Sequence, residues 1–307
     1  MEFLRASYEG KNGAAQYIAT LILLFLFWQV LGIIPLLVVA YNYAGSMSAF
    51  EAAAVSNFMG IGIPSNLYLI LMLATFVFAS VGLWIGITQI HKRKLLSLMT
   101  TRKHLDWSRI RLSAAVWFVA MLIFTLIDYL SRPEDFELIF QAEKFIVLLL
   151  VSILLIPIQT TFEEVLFRGY FMQALGSLAK NRWVPLLLTS VIFGLLHGAN
   201  PEVAKLGPIM YVFYIGTGLF LGILTLMDEG MELSIGFHAI NNVVSAILIT
   251  TDWTVFQTNA IFKDTAEPDI TWQAFLPIFI VFPILLMGYS KVLGWSNWKE
   301  KLFGHVA

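Results

Sequence analysis

Long apolar segments dominate this chain, and short polar segments separate them. A helix needs about 20 mostly apolar residues to cross a bilayer. Candidates fall at residues 17–41, 67–90, 112–130, 145–166, 183–199, 207–227, 234–250 and 272–294. The pattern predicts an all-α, polytopic helical membrane protein with about eight transmembrane helices.

The composition supports this fold class and narrows the chemistry. Of the 307 residues, 59% are hydrophobic and 13% are charged, whereas soluble chains carry about 25% charged residues. The mean hydropathy is +0.80. A net charge of −1 gives no reason to expect nucleic acid as a partner. Cysteine is absent, which excludes disulfides, thiol catalysis and thiolate metal sites.

Loop charges predict how the helices are oriented. The loop at 91–111 is dense in Lys and Arg, so the positive-inside rule places it in the cytoplasm. The next loop, 131–144, is mostly acidic and is expected on the opposite side. Alternation through eight helices then puts both termini in the cytoplasm. Short loops and the absence of cysteine favour a multi-pass protein of a prokaryotic plasma membrane.

A cluster of charges interrupts the fourth apolar segment, at "TTFEEVLFRGYF", residues 160–171. A charge at the middle of a membrane helix costs roughly 2.5–3.5 kcal/mol on insertion scales. Glu164 and Arg168 are four residues apart, so they share a helix face and can neutralise each other. Glu163 is turned about 100° away on a regular helix. We therefore expect Arg168 to stabilise Glu164, and Glu163 to be available for chemistry.

Two further polar patterns occur in apolar segments. Phe193 and His197 are four residues apart in the fifth segment, and His238 and Asn242 are four apart in the seventh. Asn241 is the alternative to Asn242, which the spacing favours. The other histidines are predicted in or beside charged, solvated segments: His91, His104 and His305.

Ideal helix geometry brings the candidate residues to a similar depth. Glu163 and His197 each lie about 25 Å from the turn near residues 180–181, at 1.5 Å per residue. His238 lies about 12 Å from the next cytoplasmic turn, near residue 230. These distances agree if the 170–183 end projects beyond the bilayer. They predict a shared site about a third of the way in from the cytoplasmic face, acting from that side.

Three motifs occur in order along these helices. "EEVLFR" fits E-E-x-x-x-R, "FGLLH" fits F-x-x-x-H, and "HAINN" fits H-x-x-x-N. In order and spacing they resemble the CAAX protease and bacteriocin-processing (CPBP) family of intramembrane endopeptidases, related to type II CAAX prenyl endopeptidase. The resemblance predicts a protease core at 145–250 with four spans. Residues 1–144 then hold three spans and the basic loop, and 251–307 hold an outer loop and the last helix.

The resemblance implies a peptide hydrolase that uses an activated water and no covalent intermediate. Its substrates would be membrane-associated peptides or proteins, lipidated CAAX-type substrates included, and its other partner is the lipid bilayer. By the same resemblance, Glu163 is the general base, and His197 orients the water or shares its proton.

The remaining roles also follow from the resemblance. His238 and Asn242 would stabilise the oxyanion, and Glu164 with Arg168 would hold the site together. Amide hydrolysis requires a base, a proton donor and oxyanion donors, and this set can supply all three.

Three alternatives stay open. No cofactor is expected, but Glu163, His197 and His238 could instead bind zinc, because three protein ligands and a water make a catalytic zinc site. A scaffold or bacteriocin-immunity protein of the same family would keep the motifs without activity. A proton-coupled transporter would use buried Glu and His as a relay. A peptidase needs Glu163 and His197 within reach of one water, whereas a transporter needs access to both faces.

Overall fold

The computed structural model describes residues 3–268 and 275–306. Its principal helices are α1 (Ala14–Ala44), α2 (Ser65–Ile90), α3 (Trp107–Ser131), α4 (Ala142–Ala179), α5 (Trp183–Ala199), α6 (Met210–Asp228), α7 (Glu232–Leu248) and α8 (Pro277–Leu293). Short helical segments lie at Leu4–Tyr8, Met47–Ala54, Leu96–Met99, Pro133–Asp135, Pro201–Leu206 and Trp298–Phe303.

The predicted helical architecture is confirmed, but the predicted count of eight transmembrane helices is not. Five helices, α1 to α4 and α6, are long and apolar enough to cross a membrane. The α5 and α8 helices are apolar but shorter. The α7 helix has 17 residues and contains His238 and two asparagines, which lower its hydropathy. By contrast, α4 continues to Ala179, well beyond the predicted end of its span at residue 166.

A small sheet joins two loops that were predicted only as connections. Strand β1 (Phe136–Leu138) pairs antiparallel with β3 (Phe262–Asp264), and β2 (Ile249–Thr250) pairs parallel with β3. Arg132 ties the sheet to the end of α3, because it contacts both Asp128 and Asp264 at 2.7 Å. We call this end of the helix bundle the sheet end.

The opposite end, which we call the basic end, is closed by ion pairs. Arg102 contacts Asp228 at 3.1 Å and Glu232 at 3.0 Å, and Arg109 also pairs with Asp228. Both carboxylates are almost fully buried, at 2% and 0% side-chain exposure. The loop between α2 and α3 is therefore anchored to the turn between α6 and α7.

His91 does not lie in a solvated segment, and that prediction was wrong. It is fully buried at the basic end. Its Nδ1–H donates to the Lys11 carbonyl at 2.8 Å, and its Nε2 accepts from the Tyr170 hydroxyl at 3.0 Å. The N-terminal segment covers the end of α2, a long-range contact that local composition does not reveal. His104 and His305 are exposed, as predicted.

The first 144 residues supply walls of the candidate site. The α3 helix packs along α7, and α2 packs along α4. Trp117 of α3 stacks on Phe237 of α7 with ring centroids 4.4 Å apart. The helices that carry the motifs are therefore enclosed by helices that carry none.

Candidate active site

The α4 helix changes its winding directly after the two glutamates. It is α-helical up to Glu164 and π-helical over Val165–Phe171. Single π-helical turns within α-helices are frequent at functional sites. The wider turn still leaves Arg168 in contact with Glu164.

Glu164 and Arg168 form the predicted pair, deep inside the bundle. Arg168 Nη1 donates to Glu164 Oε1 at 3.0 Å, and the side chains are 1% and 0% exposed. Arg168 Nη2 donates to the Gly218 carbonyl of α6 at 3.1 Å. The guanidinium also lies 4.4 Å above the Phe193 ring of α5. Arg168 thus connects three helices, which supports a structural role.

His238 lies between the two glutamates. Its Nδ1 is 2.8 Å from Glu164 Oε1, and its Nε2 is 3.6 Å from Glu163 Oε2. A carboxylate only accepts hydrogen bonds, so Nδ1 carries a proton. A second proton on Nε2 would make the group of Glu163, Glu164, Arg168 and His238 neutral. Neutrality is favoured in a buried site because unpaired charge is costly there.

Gln159 links the general-base candidate to α7, and the sequence reading missed it. Its Nε2 donates to Glu163 Oε1 at 2.7 Å, and its Oε1 accepts from Asn242 Nδ2 at 3.2 Å. A signal was present, because Gln159 is an amide in an apolar helix, one turn before Glu163. One glutamine therefore sets the position of two predicted site residues.

The two asparagines of α7 have different partners. Asn241 Oδ1 accepts from the Trp117 indole at 3.0 Å, and Asn241 Nδ2 donates to Asn242 Oδ1 at 3.0 Å. Asn241 is thus held toward α3, and Asn242 toward Gln159. Asn242 is therefore the one of the two that contacts Gln159, the partner of Glu163.

His197 lies at the end of α5, where the helix tightens into a 3₁₀ turn. Its Nδ1–H donates to the Phe193 carbonyl at 2.7 Å, which leaves Nε2 for water or substrate. Its ring stacks on Tyr214 with centroids 4.3 Å apart. The Tyr214 hydroxyl in turn donates to Glu202. Glu202 thereby supports the histidine.

These residues share one cavity of about 530 Å³, which we call the chamber. Glu163, His197, His238 and Asn242 line it, together with Gln159. Glu164 and Arg168 do not line it and lie behind its wall. The structure therefore divides the six predicted residues into four that face a cavity and two that support them.

A zinc site is not assembled by these residues. Within residues 3–268 and 275–306, no group of three His, Asp or Glu side chains is arranged to hold a metal ion. His197 uses its Nδ1 and ring face for Phe193 and Tyr214, which leaves Nε2 as its available donor or acceptor atom.

Comparison with known proteins agrees with the arrangement of the motifs. The family profile described as type II CAAX prenyl endopeptidase Rce1-like matches residues 141–244. A relative from Bacillus subtilis (strain 168), Uncharacterized protein YyaK, is 32% identical over 222 residues, which cover 70% of this chain and 73% of that protein. The chain belongs to the Rce1-like type II CAAX prenyl endopeptidase family. No solved structure matches it.

The Rce1-like region coincides with the helices that build the site. Residues 141–244 begin with α4 and end within α7, so they contain all six predicted site residues and Gln159. Trp117 lies outside this region, on α3. The Rce1-like core therefore relies on the N-terminal helices for one of its hydrogen-bonding walls.

Proposed function

We propose that this protein is an intramembrane endopeptidase that hydrolyses membrane-associated peptides or proteins with an activated water. The observation that carries the proposal is the pairing of Glu163 with His238 at 3.6 Å on the wall of a chamber that His197 and Asn242 also line. Family membership supports the same reaction class.

The chamber geometry supports a division of chemical roles. Glu163 Oε2 is buried without a hydrogen-bond partner among the described residues, so it can accept a proton from water. His197 Nε2, on the same chamber wall, would hold this water from α5. Glu163 would then pass the proton to the leaving amine as the peptide bond breaks.

The oxyanion would be stabilised from α7. Protonated His238 and the Nδ2 group of Asn242 are adjacent donors one helical turn apart, and an amide NH₂ retains one proton when the other is donated to Gln159. Removal of one such donor typically lowers the rate about 100- to 1000-fold. Glu164 stays ionised beside Arg168 and keeps a proton on His238 Nδ1.

The position of the chamber disfavours a transporter. A transporter exposes its site to each face in turn, and the chamber extends from the candidate site only toward the sheet end. The ion pairs of Arg102 and Arg109 with buried carboxylates close the basic end. A multi-pass protein with both termini in the cytoplasm, crossing the membrane eight times, would agree with this arrangement.

A peptide-cleavage assay tests the proposal. Detergent-purified protein is incubated with a quenched library of lipidated and unlipidated peptides, with and without a chelator. Wild type should cleave, and Glu163→Gln should cleave about 100-fold more slowly or worse. Glu143→Gln, an exposed glutamate on the same helix, is the matched control and should retain full activity.

Three results would count against the proposal. Chelator-sensitive cleavage would support a metal mechanism instead. Equal rates for Glu163→Gln and wild type would remove the proposed base. Folded wild type that cleaves no member of the library would favour a non-catalytic role.

A further inference from the structure

The chamber extends from the candidate site toward only one end of the bundle. Its lining includes Ser65 and Tyr68 at the start of α2 and Thr125 in the second half of α3. It also includes Leu248 at the end of α7, and Thr251 and residues 254–258 of the following loop. All of these lie at the sheet end. No residue of the 91–111 loop or of the α6–α7 turn lines it.

Contacts between the 91–111 loop, the α6–α7 turn and the C-terminal segment close the basic end. A separate cavity of about 360 Å³ between α2 and α4 reaches Leu95 and Met99 of that loop, but it shares no lining residue with the chamber. Thr100 pairs with Gly230 as an isolated β-bridge, which joins the 91–111 loop to the α6–α7 turn. The Trp295 indole donates to Asp228 at 3.2 Å, and Lys301 donates to the Met227 carbonyl at 2.6 Å. The C-terminal segment therefore covers the same turn.

The two ends differ strongly in charge. Of the 19 Lys and Arg residues, those at the sheet end are Arg132, Lys144, Lys205 and Lys263. Arg168 is buried behind the wall of the chamber, and the others are at the basic end. The positive-inside rule then places the basic end in the cytoplasm and the sheet end on the opposite face.

We infer that the chamber receives its substrate from the extracytoplasmic face, at the sheet end, and not from the cytoplasm. This reverses the side of action expected from helix depths alone. By helix depth, His238 lies nearer the basic end, but the chamber that it lines extends toward the sheet end.

The wall of the chamber also restricts the charge of the substrate. It carries the carboxylates Glu163 and Glu202 and no Lys or Arg. Protonated His238 offsets the charge of Glu163, which leaves Glu202 as the carboxylate without a countercharge. Glu202 accepts hydrogen bonds from Tyr214, Asn200 and the Val255 amide. No Lys or Arg among the described residues pairs with it.

The rest of the wall is largely apolar, with Phe76, Phe193, Phe213, Phe237 and Phe256 among its residues. The structure thus favours an apolar peptide segment that is neutral or cationic where it passes Glu202. A free terminal carboxylate would meet like charge there. The substrate part of this inference rests on the proposed function, but the side of access does not.

The absence of cysteine makes the side of access directly testable. Single cysteines are placed at Ser245 on the chamber wall, at Val55, which is 91% exposed at the sheet end, and at Lys103 at the basic end. Intact cells and inverted vesicles are treated with membrane-impermeant methanethiosulfonate reagents, and unreacted thiols are counted. This readout needs no peptidase activity, so it stays informative even if the proposed function fails.

Ser245→Cys and Val55→Cys should react in intact cells, and Lys103→Cys only in inverted vesicles. Reaction of Ser245→Cys only in inverted vesicles would overturn the inference. So would reaction of Lys103→Cys in intact cells, or no reaction of Ser245→Cys from either side while Val55→Cys reacts.

The charge of the chamber is tested with the same variants. A cationic and an anionic reagent are compared at Ser245→Cys, and the ratio of their rates is divided by the ratio at Val55→Cys. Local electrostatic fields concentrate counterions by about tenfold or more, so the normalised ratio should favour the cation by about tenfold. A normalised ratio near one, or below one, would overturn the proposed substrate charge.

Discussion

The ion pair between Arg168 and Glu164 should contribute strongly to stability, because burial removes the alternative of solvation. Arg168→Met keeps most of the side-chain volume and removes the charge. It leaves Glu164 ionised at 0% exposure, deprives the Gly218 carbonyl of its donor, and removes the cation above the Phe193 ring.

The expected magnitude follows from the burial of both partners. Removal of one partner of a buried pair costs about 3–5 kcal/mol. At about 2 °C per kcal/mol for a chain of this size, the midpoint of thermal unfolding should fall by roughly 6–10 °C.

The matched control is Arg132→Met. Arg132 also contacts Asp128 and Asp264 at 2.7 Å, but its side chain is 29% exposed. Exposed pairs contribute about 0–1 kcal/mol each, so the unfolding midpoint should fall by only a few degrees. Thermal unfolding in one detergent, followed by intrinsic fluorescence, measures all variants.

A double variant separates the pair from the packing. Glu164→Gln with Arg168→Met removes both charges, so part of the lost stability should return. The reasoning would be refuted if Arg168→Met and Arg132→Met lowered the unfolding midpoint equally. It would also be refuted if the double variant were less stable than Arg168→Met alone.

Three further outcomes are expected. Gln159→Leu should lower kcat about 10- to 100-fold with little change in KM, because Glu163 loses its hydrogen-bond donor and a hydrogen bond to a charged group contributes about 1.5–3 kcal/mol. Steady-state kinetics in which kcat and KM change equally would contradict this. Arg102→Ala should lower the unfolding midpoint more than Lys103→Ala, since only the former leaves two buried carboxylates without their shared partner; equal midpoints would count against the closed basic end. Burial lowers the pKa of His91 below its ordinary value, so its contribution to stability is complete above about pH 6.5 and declines as the pH falls below that value. His91→Gln should therefore reduce the fall in the thermal unfolding midpoint between about pH 7.5 and 5.5. An unchanged fall would rule out His91 as a cause of the pH dependence.

The helices and the Glu164–Arg168 pair could be predicted because both depend on short sequence separations. Apolar segments report helix positions directly, and a spacing of four residues places two side chains on one helix face. Helix ends were less accurate. The fourth span was predicted to end at residue 166, but α4 continues through a π-helical turn to Ala179, and local hydropathy does not reveal that change of winding.

The partners of the site residues depend on contacts between distant segments. The Trp117 bond to Asn241 requires α3 to pack along α7, and the stacking of Tyr214 on His197 requires α6 beside α5. Neither pairing has a local signal. Gln159 differs, because its position one turn before Glu163 could have identified it. Helix depth also could not predict the end of the bundle toward which the chamber extends, because depth gives a level in the membrane and no side of access.

The most direct test of the central claim is the origin of the oxygen in the first product molecule. Enzyme in excess over a cleaved peptide is allowed a single turnover in ¹⁸O-labelled water, and the new carboxylate is analysed by mass spectrometry. If Glu163 activates water that attacks the peptide directly, the first product carries one ¹⁸O atom. An unlabelled carboxylate in the first turnover would mean that an oxygen of the protein attacked the substrate, and it would contradict the proposed role of Glu163 as a base.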